Sequence, residues 1–91
     1  MIGRRLRIFG RVQGVFFRAW AAEQAQALGV KGWIRNRGDG SVEALAFGDA
    51  GAVDAFIAKC RQGSPSARVE RIDVEVAEGD PPEGFRTAQT L

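Results

Sequence analysis

Leu6, Ile8, Gly10 and Val12 alternate with Arg5, Arg7, Phe9 and Arg11, the period-two pattern of a strand with one buried face. The period then lengthens. Phe17, Trp20, Ala21 and Leu28 share one face of a helix predicted from about Val15 to Leu28, which Gly29 ends. Val30, Gly32, Ile34 and Asn36 are in phase on a second strand running to about Arg37. Gly38-Asp39-Gly40 follows as a tight turn, because glycine supplies the positive φ that such a hairpin needs. A third strand covers about Ser41 to Phe47. Asp49 is placed to cap a second helix, in which Val53, Phe56, Ile57 and Cys60 form an apolar stripe that Gly63-Ser64-Pro65 interrupts. In a fourth strand Ile72, Val74 and Val76 alternate with Arg71, Asp73 and Glu75. Val69 is out of that phase, which predicts a bulge near Glu70. Gly79-Asp80-Pro81-Pro82 is a loop, and Phe85 to Thr87 can add a short edge strand.

This order predicts an α+β fold of the ferredoxin-like, split βαβ kind (βαββαβ), an antiparallel sheet with two helices on one face. A right-handed crossover makes the first two strands parallel and leaves room for the third between them. The ends of those two strands then lie on the same sheet edge. Asn36, in phase with Ile34, faces the helix layer near the loop that follows the first strand.

Ninety-one residues suit a single domain, residues 1–91, with one core. The 45% hydrophobic and 26% charged content is that of an ordinary globular chain, and the net charge of +2 is too small to imply nucleic acid by itself. No apolar run approaches the ~20 residues of a membrane span, and no signal-peptide pattern follows Met1. The chain has no histidine, and Cys60 is its only cysteine. Intramolecular disulfides, zinc sites of the usual Cys/His kind, phosphohistidine chemistry and Ser-His-Asp or Cys-His catalysis are therefore excluded for a monomer. A monomer in the reducing cytoplasm, with no metal and no cofactor, is expected.

The remaining chemistry concentrates at the junction Gly10-Arg11-Val12-Gln13-Gly14-Val15-Phe16-Phe17-Arg18. A strand ending in a glycine turn and then a helix leaves backbone N–H groups free at the positive end of the helix dipole, an anion site suited to phosphate. Arg18 adds a guanidinium fork. A cation in the first helical turn opposes the dipole by about 0.3–1 kcal/mol, which a bound anion would reverse. Each residue also has a plainer reading: Gly14 as a turn former, Arg18 as a solvated side chain, Asn36 as a hairpin residue bonding its own backbone. Cys60 reads as a small core hydrophobe, and no paired carboxylates suggest an acid/base dyad. Phe9, Trp33, Leu45 and Phe47 fall on the opposite sheet face beside Arg5, Arg7 and Arg35, either as a satellite cluster or as a base-stacking platform.

Gly10 to Arg18 resembles the first signature of the acylphosphatase family, G-x-V-Q-G-V-x-F-R. Gly32-Trp33-Ile34-Arg35-Asn36-Arg37-Gly38-Asp39-Gly40-Ser41-Val42, continuing to Gly48, resembles the second, G-aromatic-x-x-N-x-x-x-G-x-V with a later glycine. Ile34, where a smaller apolar residue is more usual, and the segment after Gly79 depart from the pattern without touching the motif positions. The resemblance implies hydrolysis of the carboxyl–phosphate bond of acyl phosphates. It assigns phosphate binding to Arg18, orientation of the attacking water to Asn36, and the phosphate cradle to the backbone of Gln13, Gly14, Val15, Phe16, Phe17 and Arg18. Inorganic phosphate is then product and inhibitor. Two alternatives remain. The first is a nucleic-acid module using the open sheet face, against which Glu43 in the reading phase and the missing RNA-recognition pattern both argue. The second is a non-catalytic carbamoyl-phosphate-binding domain like that within hydrogenase maturation factors. Those factors are much longer, whereas this sequence starts with Met1 and stops after one domain.

Overall fold

The computed structural model describes residues 1–91. Its elements are β1 (Ile2–Arg11), α1 (Phe17–Leu28), β2 (Lys31–Asn36), β3 (Val42–Gly48), α2 (Ala50–Gln62), β4 (Arg68–Val76) and β5 (Phe85–Thr87). The sheet order is β4-β1-β3-β2-β5. β3 pairs antiparallel with both β1 and β2, so those two strands run parallel to one another with β3 between them, as the crossover rule requires. One correction concerns the far edge. β5 joins β2 in parallel, so the sheet is mixed and not wholly antiparallel.

Alternation in β1 and β3 decides which face meets the helices. Leu6, Ile8, Val42, Ala44 and Ala46 are buried beneath α1 and α2, where Phe17, Ala21, Ala25, Val53, Phe56 and Cys60 complete the core. The small alanines of β3 and α1 let the helices approach the sheet closely. Gly32, at φ +145°, serves the pairing of β2 with β3: a Cβ there would collide with the Leu45 carbonyl of the neighbouring strand.

Three local expectations need revision. α1 begins at Phe17 and not at Val15, because Phe16 takes the left-handed conformation, φ 58° and ψ 24°, which no helix can continue. Asp49 occupies the N-cap position of α2 with extended backbone, yet its side chain makes no capping bond. In β4 only Ile72 is buried. Val74 and Val76 keep the predicted phase but stay exposed, since β4 is an edge strand whose end the helices leave uncovered. The bulge is where the phase break predicts it. Phe9 pairs with Arg71 and Gly10 with Val69, so Glu70 is the extra residue.

Candidate active site

β1 and β2 end on the same edge of the sheet, and α1 starts there. Val12, Gly14, Phe16, Phe17, Arg18, Ala19, Asn36 and Thr87 line one cavity of about 370 Å³ at this meeting point. Residues as distant in sequence as Arg18, Asn36 and Thr87 are brought together by topology alone. Of the residues expected to form the site, Gly14, Phe16, Phe17, Arg18 and Asn36 line the cavity; Gln13 and Val15 do not.

The backbone between β1 and α1 is unusual in what it leaves unbonded. No N–H from Gln13 to Ala19 donates a hydrogen bond within the chain; the first helical bond is Trp20 N–H to Phe16 O at 3.1 Å. Gly14 (φ 73°) and Phe16 (φ 58°) are both left-handed. Left-handed residues alternating with right-handed ones turn successive N–H groups to the same side, the geometry of a backbone anion nest. α1 also lacks a side-chain cap and any acidic residue in its first turn, so nothing in the chain offsets its positive end.

Arg18 sits in that first turn, half-buried, with no carboxylate within ion-pair distance. Its one contact is Nη1 to the Ala88 carbonyl at 3.5 Å, too long to contribute much. Asn36 holds its place through the β2–β3 ladder, opposite Val42, and its carbonyl accepts from Leu91 N–H at 3.1 Å. Its side-chain Oδ1 is buried without a partner. Four locally unfavourable features therefore meet here: a left-handed phenylalanine, an uncapped helix, a cation at the wrong pole and an orphaned oxygen. Together they are on the order of several kcal/mol, a large part of the net stability of a small domain. Every one of them except the orphaned oxygen would be relieved or offset by an anion in the cradle.

Gln13 and Val15 serve the site from outside it. Val15 is buried in the core, anchoring the loop. Gln13 Nε2 donates to the carbonyls of Arg37 and Ser41, both at 2.8 Å, which fastens the loop to the hairpin carrying Asn36. The β-period and turn signals could not reveal this bond, since it depends on side-chain reach across the sheet edge. Thr87 also lines the cavity without any signal in the sequence, because a three-residue edge strand gives no register.

The open sheet face is organised differently. Glu43, only 5% exposed, receives Arg5 at 2.8 Å, Arg35 at 2.9 Å and Arg37 at 3.1 Å. Burial pushes its carboxyl up, but the hydrogen bonds from Arg35 and Arg5, the charge of Arg35 and the bond from Arg37 outweigh this and hold it below the ordinary range. Asp39, bonded first by the Ser41 hydroxyl and backbone and then by Arg7, is lowered to about 2. Arg7 and Arg71 cover the Phe9 ring, Arg35 lies over Trp33 at 4.6 Å, and Phe47 is buried. The aromatic faces a nucleobase would need are thus already occupied by the chain's own guanidinium groups.

Residues 4–87 match the sequence model of the acylphosphatase family. An acylphosphatase of Rhizorhabdus wittichii is 54% identical over 90 residues, covering 99% of this chain and 91% of that protein. The crystal structure of acylphosphatase from Bacillus subtilis superposes with a TM-score of 0.89 at 35% identity, over 97% of this chain and 99% of that one. Full-length HypF, in its phosphate- and nucleotide-bound form, superposes with a TM-score of 0.84 at 29% identity over 98% of this chain, which corresponds to 12% of HypF.

Proposed function

The chain belongs to the acylphosphatase family and is an acylphosphatase, and from that premise we propose how its cavity cleaves the carboxyl–phosphate bond of an acyl phosphate. The phosphoryl group lies against the backbone N–H groups of the cavity-lining residues Gly14, Phe16, Phe17 and Arg18, and the Arg18 guanidinium neutralises its remaining charge. Asn36 orients a water on the side opposite the leaving group. The water oxygen bonds to phosphorus as the phosphorus–oxygen bond to the acyl group breaks, its electron pair leaving with the carboxylate. A carboxylate is so weak a base that no general acid is needed, and the water's proton passes to a phosphate oxygen of the substrate. The work left to the protein is to position the groups and stabilise charge, which a chain without histidine can do. The mechanism calls for no metal and no cofactor.

The observation that carries this reading is the row of unpartnered N–H groups from Gln13 to Ala19, on a loop whose residues share one cavity with Arg18 and Asn36. Inorganic phosphate, as product, fits the same cradle and inhibits competitively. No helix is long and apolar enough to cross a membrane. Residues 1–91 acting as one domain, a monomer in the reducing cytoplasm, is the accompanying proposal; a lone buried cysteine is consistent with it.

The test is turnover of benzoyl phosphate beside a simple phosphate monoester, with inorganic phosphate titrated in. Hydrolysis of the first alone, inhibited competitively by phosphate, is expected. Equal cleavage of the monoester would refute a mechanism that relies on a carboxylate leaving group.

A further inference from the structure

Phe16 is the most exposed large hydrophobic residue of the chain, at 87%, and it stands on the wall of the catalytic cavity. Its backbone is the one non-glycine position with positive φ. Aromatic residues rarely adopt that conformation, and Asn or Gly would adopt it more readily. Neither packing nor backbone preference explains a phenylalanine here. The ring is not needed for the core, which Phe17 already fills from the next position. The cavity is also larger than a phosphoryl group requires, and part of its wall is apolar: Val12, Phe17 and Ala19 beside Phe16.

We propose that Phe16 determines acyl-group specificity, its exposed ring packing against the apolar or aromatic acyl portion of the substrate while the neighbouring N–H groups hold the phosphate. This rests on the acyl phosphate reading above. The ring touches the part of the substrate that does not react, so it contributes equally to ground state and transition state. Losing it raises KM for a substrate with a large apolar acyl group more than for one with a small group, and kcat changes less than KM. Aromatic packing of this kind is worth about threefold to tenfold in affinity.

The experiment compares kcat/KM for benzoyl phosphate and acetyl phosphate in the native chain, in Phe16→Asn and in Phe16→Trp. Asn keeps the left-handed backbone and removes the ring; Trp keeps an aromatic surface. The benzoyl-to-acetyl ratio is expected to fall about threefold to tenfold in Phe16→Asn, through KM, and to stay near the native ratio in Phe16→Trp. A ratio unchanged in Phe16→Asn, or an equal loss on both substrates, would overturn the specificity role while leaving the acylphosphatase reading intact. A folded native chain that cleaves neither substrate would instead overturn the reading on which this inference rests.

Discussion

Replacing Arg18 with alanine should inactivate the enzyme and stabilise the fold. Arg18 lies in the first turn of α1, whose N-terminus has no cap and no acid, and its one contact is the long 3.5 Å approach to Ala88. Removing a cation from that pole relieves about 0.3–1 kcal/mol, and alanine adds a slightly better helix propensity. For a domain of this size that raises Tm by about 1–8 °C in phosphate-free buffer. Turnover of benzoyl phosphate, followed by loss of its ultraviolet absorbance, falls by about 10³-fold or more, the scale seen when a guanidinium facing a phosphoryl group is removed. Phosphate reverses the order of the two melting temperatures. At ten times its Kd an anion adds about 1.4 kcal/mol to the native fold, or roughly 6–11 °C, whereas the variant has lost its main charge partner and gains little. A variant that melts lower than the native chain without phosphate would show that Arg18 is a structural contact. Undiminished turnover would remove it from catalysis. Arg18→Lys should recover little activity, because an ammonium cannot reproduce the two-pronged fork.

Asn36→Ala should lower kcat by about 10²–10³ with KM and phosphate inhibition nearly unchanged, because the cradle and Arg18 remain. Its Tm should hold or rise, since the orphaned Oδ1 disappears; a destabilised variant with a full rate per molecule would make Asn36 a hairpin residue only. Glu43 governs the acid limit of stability. Its carboxyl is held below the ordinary value in the fold, so its contribution is complete above about pH 4.3 and fades as pH falls through the lowered native value. Glu43→Gln should cost about 1–3 kcal/mol at pH 7, less than a fully buried pair because the three guanidiniums keep 25–44% exposure, and should flatten the fall of Tm below pH 4. An equally steep acid fall in the variant would assign that limit to other carboxylates.

The parts of this molecule that were legible in its sequence are those governed by local periodicity. The alternation of Leu6 and Ile8 with Arg5, Arg7 and Phe9 marked the buried face of β1, the misfit of Val69 located the bulge at Glu70, and Gly38-Asp39-Gly40 placed the hairpin. Crossover handedness then brought Asn36 to the start of α1. What escaped depends on pairings between distant residues or on a single backbone angle. Nothing in the phenylalanine at position 16 announces a positive φ, so the helix appears two residues too long when read from its apolar spacing. The parallel pairing of Phe85–Thr87 with β2, which carries Thr87 into the cavity, has no local signature either. Glu43 was visible as a charge on the open face, but the convergence of Arg5, Arg35 and Arg37 upon it follows from strand register.

The burial of Cys60 gives the protein an internal clock. Its thiol lies in the core on the inner stripe of α2, and burial pushes its pKa up to about 12. While the fold is closed, a thiol reagent meets neither an accessible sulfur nor an appreciable thiolate. Labelling then proceeds only through molecules that have opened, at the free-thiol rate multiplied by the open fraction. A stability of about 5 kcal/mol slows it by about 5,000-fold. An anion seated in the cradle, whose lining does not include Cys60, lowers the open fraction further: at ten times its Kd the reaction slows by about another elevenfold. With no second cysteine to confuse the signal, the pace at which this one sulfur is consumed measures how tightly the cradle is filled.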